Sequence, residues 1–182
     1  QYYEQDNANA HRGMHVLAER ATVAYEDARK TVQRFLHASR PEEIIFTKNT
    51  TEAINLVAIS LSRGKILREG DAILLTRLEH HSNIVPWLQL SERKNIDIRW
   101  CGIADDGTLE MDDLRRHLAD GRVKLVAVTA LSNVLGVRPP LEEIIRMAHD
   151  CGALVLVDAA QAVVHGPTDV QALDCDFLAF SG

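Results

Sequence analysis

Apolar positions along this chain change their period repeatedly, and each change marks a secondary-structure element. Between Met14 and His37 the residues Leu17, Ala21, Ala24, Ala28, Val32 and Phe35 recur at steps of three and four, one face of an amphipathic helix. Pro41 interrupts that pattern, and the run Glu42–Phe46 predicts a short strand. Short apolar runs then alternate with helical patterns: helix Thr51–Leu61, strand Ala72–Leu75, helix Ile84–Arg93 and strand Ile96–Trp100. Asp106-Gly107 predicts a turn, after which helix Met111–Leu118 leads to strand Leu125–Val128. Pro139-Pro140 opens a helix whose Leu141, Ile144, Ile145 and Ala148 share a face. Gly152 closes it, and strands Ala153–Asp158 and Phe177–Phe180 follow.

Apolar strands alternating with amphipathic helices predict an α/β fold with a mostly parallel sheet. Continuous runs such as LVAV and LVLV suit strands buried on both faces, so a three-layer sandwich is expected. The expected organisation is an N-terminal helical segment over 1–40 and a larger domain over 41–182. Ligands of such sheets bind beyond the carboxyl ends of the strands. That rule selects Asn49–Glu52, Glu79–Asn83, Ser132–Gly136, Asp158–Gln161 and Ser181-Gly182 for inspection.

Composition narrows the picture only modestly. Hydrophobic residues make up 46% and charged residues 25% of 182 positions, the balance of an ordinary globular protein. The net charge of −6 comes from interspersed acids and bases, which speaks against a nucleic-acid partner. No apolar run approaches a bilayer span, so no membrane partner is expected either. Cys101, Cys151 and Cys175 fall in no paired spacing, which suggests a reducing, cytoplasmic setting and three small buried hydrophobes.

Each selected loop carries two readings. Thr50-Thr51 opens a helix, and the N–H groups, hydroxyls and dipole there suit a phosphate; equally, one threonine could be the N-cap. Asp158 ends the most apolar strand, where a carboxylate is costly unless something pairs with it. It could cap the segment Ala159–Val164 or partner a cation such as a protonated pyridine nitrogen, with Gln161 offering its amide to the same ligand. Glu79-His80-His81 is not a closed zinc set, so no metal is expected. His80 could be structural, or could stack on an aromatic cofactor and shuttle protons. Ser132-Asn133 fits turn chemistry or an asparagine amide addressed to a phenolate-like oxygen.

Together the segments TTEAINLVA, LEHHSNIVPW, LSNVLG, VDAAQAVVHGPTDVQALDCDF and the final SG, preceded by NANAHRG, resemble the cysteine desulfurases. These are class V (fold type I) enzymes dependent on pyridoxal 5'-phosphate (PLP), and the sulfur-mobilisation (SUF-type) branch, with its selenocysteine lyase-like members, is the nearest in pattern. The resemblance implies that the chain is part of the large cofactor-binding domain of that fold. It assigns the cofactor phosphate to Thr51, the Thr50 backbone and Ser181, and the ring face to His80 as stacking and catalytic residue. Asp158 is assigned to the pyridine nitrogen, and Asn133 and Gln161 to the ring hydroxyl. His81 receives no role, and Asn49 and Ala159 stand where many members have glycine.

The resemblance further implies conversion of L-cysteine to L-alanine, with persulfide sulfur passed to an acceptor protein for iron–sulfur cluster assembly, by a homodimer. Selenocysteine lyase, another class V activity, or a non-catalytic truncated domain are the alternatives. The family pattern continues S-G-H-K, and its lysine forms the Schiff base. None of Lys30, Lys48, Lys65, Lys94 and Lys124 stands in that motif, and no cysteine here matches the sulfur nucleophile. A fragment, inactive alone, is therefore expected.

Overall fold

In the computed structural model residues 7–11, 13, 15–64 and 66–182 are described. The chain divides into two compact units, one reaching to Phe46 and including Pro167–Gln171, the other comprising Thr47–Gly166 and Ala172–Gly182.

The first unit is organised by helix α1, Val16–Phe35. His15 caps it, its Nδ1 accepting the Ala18 N–H at 3.3 Å; the expected start at Met14 lies outside the described residues. Of the expected apolar face only Ala21 is buried and Val32 half-buried, whereas Leu17, Ala24, Ala28 and Phe35 are exposed. The strand expected over Glu42–Phe46 is absent. Pro41–Glu43 instead forms a 3-10 turn, closed by the Ile44 N–H on the Pro41 carbonyl at 3.0 Å. Proline fixes its own φ for such a turn and has no N–H for a ladder. Phe46 meets the Tyr25 ring edge-on at 5.2 Å, and the Arg29 guanidinium lies over both rings while donating to the Ile44 carbonyl.

The second unit is an all-parallel sheet of β1 (Ala72–Thr76), β2 (Asp97–Cys101), β3 (Val123–Thr129), β4 (Leu154–Asp158) and β5 (Phe177–Ala179). Their order is β2-β1-β3-β4-β5. Alternation along each strand splits the core in two. Ile73, Leu75, Leu125, Ala127 and Leu156 face helices α2 (Thr50–Arg63) and α3 (Val85–Lys94), where Ile54, Leu61 and Trp87 are buried. Leu74, Val126, Val128, Val155 and Val157 face α4 (Met111–Leu118) and α5 (Leu141–Asp150), through Leu114, Ile144 and Ala148. Helices thus cover both faces, and the three-layer α/β sandwich is the observed architecture.

Turn chemistry follows the sequence closely. Asp106 Oδ1 accepts the Thr108 N–H at 2.9 Å while Gly107 takes φ +83°, and Gly152 after α5 takes φ +72°, a region open to glycine without strain. One expectation about the cysteines fails. Cys101 is buried and Cys175 half-buried, but Cys151 is exposed. It sits just past the last turn of α5, on the solvent side of the helix end.

Candidate functional site

The carboxyl ends of β1, β3, β4 and β5 carry the polar residues of interest, because a parallel sheet brings all its strand ends to one edge. Asp158 closes β4 in register with Thr129 of β3 and Ala179 of β5. It is 3% exposed. Its Oδ1 accepts the Ala160 N–H at 3.0 Å, and among the described residues it joins no ion pair. Burial pushes its carboxyl up, against the pull of the Ala160 N–H and of the nearby His80 imidazole. The capping reading holds for one oxygen only. Residues 159–164 make turns rather than a helix, with Ala162 and Val163 both donating to the Ala159 carbonyl. A carboxylate this desolvated favours a cationic or proton-bearing partner.

Just past β1, Glu79 occupies the centre of a polar knot. Its Oε1 accepts from the Thr76 hydroxyl at 2.6 Å and from the Thr129 N–H at 2.9 Å. Its Oε2 accepts from the Asn83 amide at 2.7 Å, and Asn83 Oδ1 in turn accepts from Trp87 Nε1 at 3.0 Å. Desolvation outweighs these donors and pushes the carboxyl up to about 7. His80 follows and is exposed. It caps the 3-10 turn His81–Asn83, its Nδ1 lying 3.2 Å from the Ser82 N–H and 2.8 Å from the Ser82 hydroxyl. The His81 ring stacks on it at 4.2 Å between centroids.

A third feature sits at the start of α2. The N-cap is Asn49, whose Oδ1 accepts the Glu52 N–H at 2.9 Å, and not Thr50 or Thr51. Glu52 in turn accepts the Lys48 N–H at 2.5 Å, one residue ahead of the cap. Asparagine does the capping because it stands one position earlier with extended backbone. Both threonines are thereby released for other partners. Thr50 is tied to Ser181, the two hydroxyls 2.9 Å apart and the Thr50 N–H 3.2 Å from Ser181 Oγ. Thr51 is exposed in the first turn.

Asn133 and Gln161 complete the sequence-derived set, and both are exposed. Ser132, beside Asn133, shows plain turn chemistry: its hydroxyl accepts the Leu135 N–H at 3.2 Å, and Gly136 takes φ +67°. The structure therefore joins Thr50 with Ser181 directly and places His80 within electrostatic reach of Asp158. Among the described residues no hydrogen bond draws Asn133 or Gln161 into either group. Glu79 is the residue whose place sequence reasoning missed. The spacing Thr76, Glu79, Asn83, Trp87 was its signal, since steps of three and four bring side chains together across a turn. Burial pushes the Cys101 thiol up to about 12 and the Cys175 thiol up to about 11, so neither is disposed to be a thiolate.

Residues 1–182 match the family described as Aminotransferase class-V. A cysteine desulfurase of Dickeya dadantii is 53% identical over 181 residues, covering 100% of this chain and 43% of its own length. A probable cysteine desulfurase of Halalkalibacterium halodurans is 48% identical, again across 100% of this chain, and 44% of it is covered. The apo structure of a cysteine desulfurase from Thermococcus onnurineus superposes with a TM-score of 0.91 at 43% identity, over 99% of this chain and 44% of that one. The Escherichia coli cysteine desulfurase CsdA gives a TM-score of 0.86 at 38% identity, over 99% of this chain and 45% of that one. The chain thus spans less than half the length of each of these four proteins.

Proposed function

Because this chain belongs to the class-V aminotransferase family, we propose that it forms the cofactor-holding floor of a PLP-dependent cysteine desulfurase, converting L-cysteine to L-alanine. The observation that carries the reading is Asp158: a carboxylate 3% exposed at the end of a buried strand, without an ion-pair partner among the described residues. PLP fits the residues present. A pyridine nitrogen offers the proton that Asp158 lacks, and a phosphate suits the N-terminus of α2, where Asn49 does the capping and Thr51 is exposed.

In this reading Thr51, the Thr50 backbone and Ser181 hold the phosphate, with the Thr50–Ser181 contact fixing the cradle between α2 and β5. Asp158 keeps the ring nitrogen protonated, and the low polarity around it strengthens that hydrogen bond. When bound, PLP supplies an electron sink for the charge left at the substrate α-carbon. His80 would face the ring and serve as the proton-handling catalytic residue. Its Nδ1 is engaged by a backbone N–H, which can only donate, so the neutral ring carries its proton on Nε2. Asn133 and Gln161 address the ring hydroxyl from exposed loops.

The same reading gives the whole protein a homodimeric assembly, a sulfur-acceptor protein as partner, a role in iron–sulfur cluster assembly and a cytoplasmic location. No described helix is long and apolar enough to cross a membrane. The reaction would also need a lysine and a thiolate, and the Cys101 and Cys175 thiols, pushed up by burial, are not disposed to supply the latter.

The test is to titrate the full-length protein with PLP and then supply L-cysteine together with dithiothreitol, which reduces the persulfide, measuring alanine and sulfide. Asp158→Ala is expected to weaken PLP binding roughly tenfold to a hundredfold, since a charge-assisted hydrogen bond of about 1.5–3 kcal/mol is lost. Unchanged PLP affinity in that variant overturns the site assignment; alanine release without sulfide, or neither product, overturns the reaction.

A further inference from the structure

We propose that Glu79 is the positioning residue for His80, a carboxylate fork that orients the imidazole toward its ligand; this rests on the reading of His80 given above. The fork gathers donors from three separate elements. Thr76 belongs to the end of β1, Thr129 to the end of β3, and Asn83 to the 3-10 turn that His80 caps. Asn83 and Trp87 are fully buried, at 0% exposure, so the far side of the fork is anchored in the core. His80 is thereby held at both ends. Its predecessor is clamped to two strands, and its own carbonyl accepts the Asn83 N–H at 2.8 Å. With backbone and Nδ1 both engaged by Ser82 and Asn83, the Nε2 edge is left to face a ligand.

A carboxyl group suits this position better than an amide. All of its partners in the knot are donors, so both oxygens must accept. A glutamine would set its NH2 against either the Asn83 amide or the Thr76 and Thr129 donors. Asn83 cannot relieve that conflict by flipping, because its oxygen already accepts from Trp87 Nε1. A group needed merely to fill space would not require two acceptor atoms in a site that pushes its carboxyl up.

A double-mutant cycle decides the matter, with PLP affinity of the full-length apoprotein measured by equilibrium dialysis and its melting temperature recorded alongside. Glu79→Gln is expected to weaken PLP binding roughly tenfold, the loss that follows from about one hydrogen bond. In a His80→Ala background the same change should cost less than about twofold, because a residue acting through His80 has nothing left to act on. Equal losses in the two backgrounds overturn the proposal and make Glu79 a general support of the fold. Should Glu79→Gln fail to fold, Thr76→Val, which removes one donor and keeps the carboxylate, replaces it in the same cycle with the same criterion. If His80→Ala itself binds PLP like the wild type, the reading of His80 fails first and the proposal with it; that result is distinct from equal losses against a His80→Ala variant that is itself impaired.

Discussion

Glu79 also makes the stability of the second unit depend on pH in an unusual direction. Its carboxyl titrates near 4.5 in the unfolded chain and at about 7 in the native one. The native state therefore binds the proton more tightly, and between those values it holds more protons than the unfolded chain. Stability is fully present below about 4.5 and declines as pH rises toward 7, with up to about 3 kcal/mol lost across the window. Most carboxylates in ion pairs behave oppositely. Asp113 and Asp120, held below the usual range by the Gly102 N–H and by Arg99 respectively, lose their contribution as pH falls. Asp158, pushed up by burial, adds to the Glu79 trend. The Glu79 share is isolated by comparing wild type and Glu79→Gln in urea denaturation at pH 5, 6, 7 and 8. The variant is less stable at pH 5, and the two curves converge on the alkaline side because only the wild type loses the contribution. Parallel curves, differing by a constant at every pH, would refute the reasoning, since they would show that Glu79 does not titrate in this window.

Three further outcomes follow from single contacts. Asn49→Ala removes the side-chain cap of α2 and is expected to cost about 1 kcal/mol in thermal unfolding, whereas Thr51→Ala, not being the cap, should cost well under half of that. Trp87→Phe leaves the buried Asn83 oxygen without its donor and should destabilise by about 1–3 kcal/mol in denaturant titration; a neutral result would dissolve the knot around Glu79. Maleimide labelling followed by mass spectrometry should modify Cys151 in the native protein within minutes and spare Cys101 until the chain is unfolded, the one being exposed and the other enclosed and held up to about 12.

The sheet was legible in the sequence because a parallel strand buried on both faces leaves an unbroken apolar run. The runs ending at Thr129 and Asp158 carry no competing signal. The rule that ligands gather at strand ends then selected the loops carrying Thr50, His80, Asp158 and Ser181, and the structure brings Thr50 to Ser181 and His80 near Asp158. Failures came where local chemistry had two solutions. Residues Glu42–Phe46 have strand-like composition, yet Pro41 and the acids behind it favour a 3-10 turn, and no neighbouring strand stands ready to pair. The two threonines at the start of α2 drew attention from Asn49, an equally good cap one residue earlier. Glu79 was noticed only as a neighbour of His80. Its partner Thr129 lies 50 residues away, and no local pattern announces such a bond.

Strand β5 leaves the second unit with an uneven resistance to opening. It contributes three paired residues, against five in β4, and it carries Ser181 to Thr50 across 131 residues of chain. Strands with few paired residues exchange their amide protons through brief local excursions, more often than longer strands do. Each excursion of β5 would take Ser181 out of the cradle while leaving Thr50 and Thr51 in place on α2. An anion gripped by all three would therefore act as a latch, suppressing the open form by mass action and slowing exchange at Phe177–Ala179 more than anywhere in β1 or β3.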